Sequence, residues 1–131
     1  MSACLVLGAT LLALSEPRFT LSWLHSVERV EWHEDWALGP EGLRLLEYRL
    51  RGSGAGMEPG PGAVLRAGWW VSPGDMVVPS LLLASSGATP STWHLCADGV
   101  CHQLGAVAGA PIPLRPCTAD EAFASTAALP D

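Results

Sequence analysis

Residues 19–36 read F-T-L-S-W-L-H-S-V-E-R-V-E-W-H-E-D-W, and their spacing decides the fold. Phe19, Leu21, Trp23 and Val27 occupy odd positions, with small polar Thr20, Ser22 and Ser26 between them. Period two is the mark of a strand with one buried face, because successive side chains point to opposite sides. After Glu28-Arg29 the apolar parity becomes even, at Val30, Trp32, Trp36 and Leu38. A change of parity requires a turn or a bulge. A turn at Glu28-Arg29 sets Val27 opposite Val30, His25 opposite Trp32, Trp23 opposite Glu34 and Leu21 opposite Trp36. All of these side chains then share one face, on which His25 and Glu34 are the polar intruders, diagonal to each other across the ladder. Glu-Arg suits a tight hairpin poorly, since both central residues would need positive φ. A longer loop moves the register and keeps the parity.

This stretch is the candidate site. A histidine oriented by a carboxylate serves as a general base or a metal ligand. The same pair can also satisfy itself as a buried polar contact within an aromatic cluster. Ser26, next to His25 in sequence, faces the other side of a strand and is no nucleophile for it. Glu28 and Trp36 complete the neighbourhood.

The rest of the chain supports a fold of short strands. It has 131 residues, enough for one domain with its own core. Glycine (14) and proline (11) together make about a fifth of it, which favours turns over long helices. Apolar residues around Gly8-Ala9, from Cys4 to Leu14, read as a hairpin or bent strand. Residues 3–14 are too few to span a bilayer, and only Met1 and Ser2 precede them, so two core strands is the reading preferred over an export segment. Leu43 to Leu50 reads as a third meander strand, with Leu46, Tyr48 and Leu50 on one face. Ala63 to Val71 reads as a hairpin turning at Gly68, and Leu81 to Ala84 as a buried strand. Asp98-Gly99 is the strongest turn signal, pairing Cys96 with Cys101 in a position that suits a disulfide. Pro111 to Cys117 is extended, and Thr118-Ala119-Asp120-Glu121 is a capping box opening a short helix. The expected fold is mostly β, a small antiparallel sandwich or barrel with a short C-terminal helix, as one domain over 1–131 whose tail begins near 105.

Composition excludes several functions. Net charge is −6 and no basic run exists, which argues against nucleic acid. All seven positive residues are arginine, so there is no lysine for a Schiff base or a phosphate loop. The loop G-S-G-A-G-M-E at 52–58 resembles an anion nest, but Pro59 and Pro61 follow it where a dinucleotide site needs a helix. It reads either as a connector or as a structured loop bringing Gly54, Gly56, Met57 and Glu58 to the site. In H-L-C-A-D-G-V-C-H at 94–102, His94, Cys96 and Cys101 share a face and His102 does not. A disulfide fits this better than zinc, which needs a second ligand pair. Cys4 and Cys117 are candidates for a second bridge. No metal or cofactor is indicated.

H-S-V-E at 25–28, the E-x-W ending at Trp36, G-S-G-A-G-M-E at 52–58 and L-C-x-x-G-x-C at 95–101 together resemble the bacterial domain-of-unknown-function family eighteen-fifty. The resemblance runs from about Cys4 to Cys101. Its members are small proteins often encoded beside TAXI-type TRAP transporters, which implies an accessory role around solute uptake, in the periplasm or cell envelope. A chain that is not exported would instead be cytoplasmic. The expectation is a non-enzymatic binding or accessory module that presents His25, Glu28, Glu34, Trp36 and the Gly54, Gly56, Met57, Glu58 loop to a solute or a TRAP transporter component. The alternatives are a hydrolase or metal-dependent enzyme using His25, and a purely structural protein-interaction domain.

Overall fold

A computed structural model describes residues 3–24, 31–51, 62–85 and 92–121. Among these residues, twelve strands make two antiparallel sheets. The smaller has the order β2-β1-β12-β9, from β1 (Ala3–Leu7), β2 (Thr10–Leu14), β9 (Leu81–Ser85) and β12 (Gly109–Pro116). The larger runs β11-β10-β3-β4-β5-β7-β6, from β3 (Arg18–Leu24), β4 (Glu31–Gly39), β5 (Gly42–Arg51), β6 (Val64–Arg66), β7 (Trp69–Pro73), β10 (Trp93–Ala97) and β11 (Val100–Leu104). The short β8 (Val77–Val78) also pairs with β5. The chain is a mostly-β, sandwich-like protein, as the turn spacing predicts. The residues expected to be extended before Cys117 form β12, an interior strand between β1 and β9.

Turn chemistry sets the hairpins. Asp98 and Gly99 (φ 53° and 75°) and Ala67 and Gly68 (φ 50° and 87°) both have the two positive φ values of a type I′ turn, whose twist matches the strands it joins. At Gly42 (φ 125°) a Cβ would lie 2.3 Å from the Val78 carbonyl oxygen, so only glycine lets β8 close on β5.

The core lies between the sheets. Leu5, Leu7, Leu14, Leu83 and Leu114 of the small sheet meet Phe19, Leu21, Trp36, Leu43, Leu45 and Leu95 of the large one. Hydrogen bonds at both ends of β10 tie it to the small sheet and its hairpins. The Trp93 indole donates to the Ala84 carbonyl of β9 at 2.9 Å, and the Ser15 amide, just after β2, donates to the Asp98 carboxylate at 2.9 Å.

Two disulfides close the fold. Cys96–Cys101 bridges the β10–β11 hairpin, and Cys4–Cys117 ties β1 to the end of β12. The capping box forms as expected. The Thr118 amide donates to Glu121 at 2.8 Å, and the Glu121 amide donates to the Thr118 hydroxyl at 3.2 Å. Arg115 grips the same carboxylate through both terminal nitrogens, at 2.7 and 2.9 Å. This holds Glu121 down to about 2, chiefly through the Arg115 hydrogen bonds.

The deciding stretch keeps its parity and changes its register. Trp23 lies opposite Trp32, Leu21 opposite Glu34 and Phe19 opposite Trp36. Each residue of β4 thus meets a β3 partner two residues earlier than a turn at Glu28-Arg29 would give. Glu28-Arg29 itself lies outside the described residues. In β5 a bulge between the pairs Asp35/Glu47 and Trp36/Leu45 alters the expected face. Leu43 and Leu45 point inward on one side of it and Tyr48 and Leu50 on the other, with Leu46 left out of the pairing.

Candidate functional site

The registers define the inner face of the large sheet row by row. One row holds Trp23, Trp32, Leu50 and Trp70, and the next holds Leu95, Leu21, Glu34, Tyr48 and Ser72. Glu34 is therefore a carboxylate in an apolar row, with Leu21 on one side and Tyr48 on the other. Its period-two neighbours on β4, Trp32 and Trp36, share its face. Both indoles turn their N–H groups to it. Trp36 Nε1 donates to Oε1 at 2.9 Å and Trp32 Nε1 donates to Oε2 at 3.1 Å. Burial pushes the Glu34 carboxyl above its ordinary value, and the two indole hydrogen bonds, which favour the ionised form, only partly offset this.

Four rings form a cross-strand row, of which Trp32 reaches this carboxylate. Trp23 and Trp32 stack with centroids 5.6 Å apart, Trp32 and Tyr48 stack at 5.6 Å, and Trp93 tilts onto Trp23 at 4.6 Å. Trp36 is buried, while Trp23, Trp32, Tyr48, Trp93 and Glu34 all keep partial exposure. This places the row at the rim of the core.

Of the expected site residues, Glu34 and Trp36 are brought together directly. His25, Glu28, Gly54, Gly56, Met57 and Glu58 lie outside the described residues. β3 ends at Leu24 and β5 at Arg51, so the strands carrying Trp23 and Leu50 lead into the segments that hold those residues. Sequence reasoning passed over Trp32, Tyr48, Trp23 and Trp93 as members of the site. The signal for Trp32 was present in W-x-E-x-W at 32–36, which sets two indoles and a carboxylate on one strand face.

The opposite face of the same sheet carries a different network. Thr20 donates to Asp35 at 2.8 Å, and Arg49 Nη1 donates to Asp35 at 2.6 Å and to Glu47 at 2.7 Å. Burial opposes ionisation of Asp35, but the Arg49 and Thr20 hydrogen bonds and the Arg49 charge outweigh it and hold the carboxyl below its ordinary value. A cleft of about 500 Å³ opens on this side, lined by Arg18, Thr20, Asp35, Glu47 and Asp98 among others. Its acidic groups are largely committed already, Asp35 and Glu47 to Arg49 and Asp98 to Ser15. The thiols of Cys96 and Cys101 are bonded to each other and so are not metal ligands.

Comparison with curated proteins and with solved structures gives no match. A family model does match, over residues 19–104, from the start of β3 through β11. That span includes all four motifs from His25 to Cys101 as well as the whole Glu34 cluster, and it covers more than half of the sequence. The chain belongs to the family described as Domain of unknown function (DUF1850).

Proposed function

We propose that the protein is a non-enzymatic binding module whose ligand sits against the Trp23, Trp32, Tyr48 row and Glu34. The observation that carries this reading is the carboxylate itself. An ionisable group in an apolar row costs stability unless it is fully compensated, and among the described residues two neutral indole donors are its only hydrogen-bond partners. A purely structural cluster is served better by an apolar residue at this position, whereas a binding site needs a polar anchor among rings to fix orientation. His25, Glu28 and the Gly54, Gly56, Met57, Glu58 loop belong to the same proposed site.

An accessory role beside TAXI-type TRAP solute uptake, in the periplasm or cell envelope, is part of this proposal. The motif resemblance supports it. The two disulfides are compatible with an oxidising compartment of that kind. A thermal-shift panel of small organic solutes tests the binding claim. Hits are expected with the native chain and should disappear in Trp32→Leu and His25→Ala variants that retain the native circular dichroism. Hits that persist unchanged in both variants would sink the assignment to this site.

A further inference from the structure

We infer that β2 is a docking edge for a second copy of this chain, so that two small sheets join into one across a two-fold axis. The inference is independent of the Glu34 site. Among the described residues four strands end the two sheets, β2 and β9 in the small one and β11 and β6 in the large one. An edge strand presents unpaired N–H and C=O groups and invites pairing unless it is short, charged, bent or covered. The other three edges are guarded. β6 has three residues and ends in Arg66. β9 meets β12 through a register shift, its Ala84 carbonyl accepts from the Trp93 indole at 2.9 Å, and its Ser85 hydroxyl donates to the Val107 carbonyl at 2.6 Å. β11 sets polar His102 and Gln103 on its two faces. β2 has none of these devices. Its five residues, T-L-L-A-L, hold no charge, proline or glycine, its pairing with β1 has no bulge, and Thr10, Leu11 and Ala13 are exposed.

The ladder fixes how two such edges meet. Gly8-Ala9 is a two-residue turn with Gly8 at φ 65°, so the flanking Leu7 and Thr10 exchange backbone hydrogen bonds. Hydrogen-bonded pairs alternate along an antiparallel ladder. Thr10, Leu12 and Leu14 therefore turn their N–H and C=O groups to β1, and Leu11 and Ala13 turn theirs outward. Antiparallel pairing of two β2 strands about Leu12 sets Leu11 opposite the partner's Ala13 and Ala13 opposite the partner's Leu11, so every outward N–H meets an outward C=O. The two copies of Leu12 then face each other in the closely spaced, non-hydrogen-bonded position. Leu12 packs at the edge of its own core, so this contact joins the rims of two cores. On the other face Leu11, 36 % exposed, gains cover from the partner's Ala13. The same patch serves both copies, as a closed two-fold dimer requires. Five residues a side is fewer than the roughly 20–30 of a standard interface, so the dimer is weak and forms as concentration rises.

The test is analytical sedimentation of the full chain over a concentration series, repeated on Ala13→Pro and Leu11→Glu. Ala13→Pro removes an outward N–H and leaves the β1 ladder its bonds, as edge strands allow. Leu11→Glu puts a negative charge on the edge of an anionic chain. The native chain is expected to pass from monomer toward dimer by roughly millimolar concentration. Each variant should keep the native circular dichroism and associate at least roughly tenfold more weakly. Each copy carries net charge −6 and β2 carries none, so added salt should strengthen the native dimer. A native chain that stays monomeric throughout overturns the inference. A dimer that persists undiminished in Leu11→Glu also overturns it, and this variant decides the question if Ala13→Pro does not fold. A dimer that salt weakens rests on ion pairs elsewhere and overturns it too.

Discussion

The two disulfides close loops of very different size, and the difference predicts which of them the fold depends on. Cys4–Cys117 joins residues 113 apart, while Cys96–Cys101 joins residues 5 apart. A cross-link stabilises mainly by removing loop-closure entropy from the unfolded chain, which grows with the logarithm of loop length. For these two loops that entropy amounts to about 5 and about 2 kcal/mol at room temperature. The smaller value is an upper bound in effect, because the Asp98-Gly99 turn already favours the same hairpin. Cys4→Ala with Cys117→Ala should therefore cost more than twice as much as Cys96→Ala with Cys101→Ala. Native contacts predict the same order. The Cys117 amide donates to the Cys4 carbonyl at 3.0 Å, where β1 meets the end of β12. Urea unfolding of the oxidised protein and of both double variants measures the difference, with the slopes compared to detect changes in the unfolded state. Equal losses, or a greater loss from opening the hairpin bridge, would refute the reasoning.

Further outcomes follow from named side chains. Trp36→Phe removes one of the two donors to Glu34 and should cost about 2–3 kcal/mol. A raised folded-state value means that Glu34 favours the fold below its unfolded value and that this contribution is lost as the pH rises through the folded one. The Trp36→Phe deficit should accordingly be larger at pH 7 than at pH 4 in urea unfolding, and a pH-independent deficit would contradict the assignment. Asp35→Asn removes a partly exposed acceptor of Thr20 and Arg49 and should cost about 1 kcal/mol near neutral pH. The depressed Asp35 value makes that stability present above its unfolded value and lost as the pH falls, so native and variant proteins should converge in acid. By carboxyl NMR, Glu121 should titrate near 2 and move up toward 4.5 in Arg115→Ala.

Parity was the legible part of this fold. Alternation alone places Phe19, Leu21 and Trp23 on the face that also carries Trp32, Glu34 and Trp36, and the register confirms it. Parity cannot fix the register, because a slide of two residues leaves every side chain on its own face. That slide replaces the expected Trp23–Glu34 pair with Trp23–Trp32 and gives Glu34 to Leu21. The β5 bulge had a similar trace in the sequence, since Leu43 and Leu45 are odd while Tyr48 and Leu50 are even. The Asp35–Arg49 bond runs diagonally between the neighbouring pairs His33–Arg49 and Asp35–Glu47, and depends on a β4–β5 register that no local pattern reveals. The small sheet was the least legible element. It joins strands from both ends of the chain, and such non-local pairing leaves no periodic mark. The turn signals fared best, because Asp98-Gly99 and Gly8-Ala9 each act within a few residues.

The most direct test of the account uses the indole protons of Trp32 and Trp36 as reporters in a nitrogen–proton correlation spectrum. Both donate to Glu34, so anything that engages this carboxylate must disturb them. During titration with a solute that stabilises the protein, these two resonances are predicted to shift together and saturate at the same concentration as the thermal effect, and to be insensitive in Glu34→Gln. Binding that leaves both indole signals in place while resonances of the Thr20, Asp35, Glu47 face move would contradict the account.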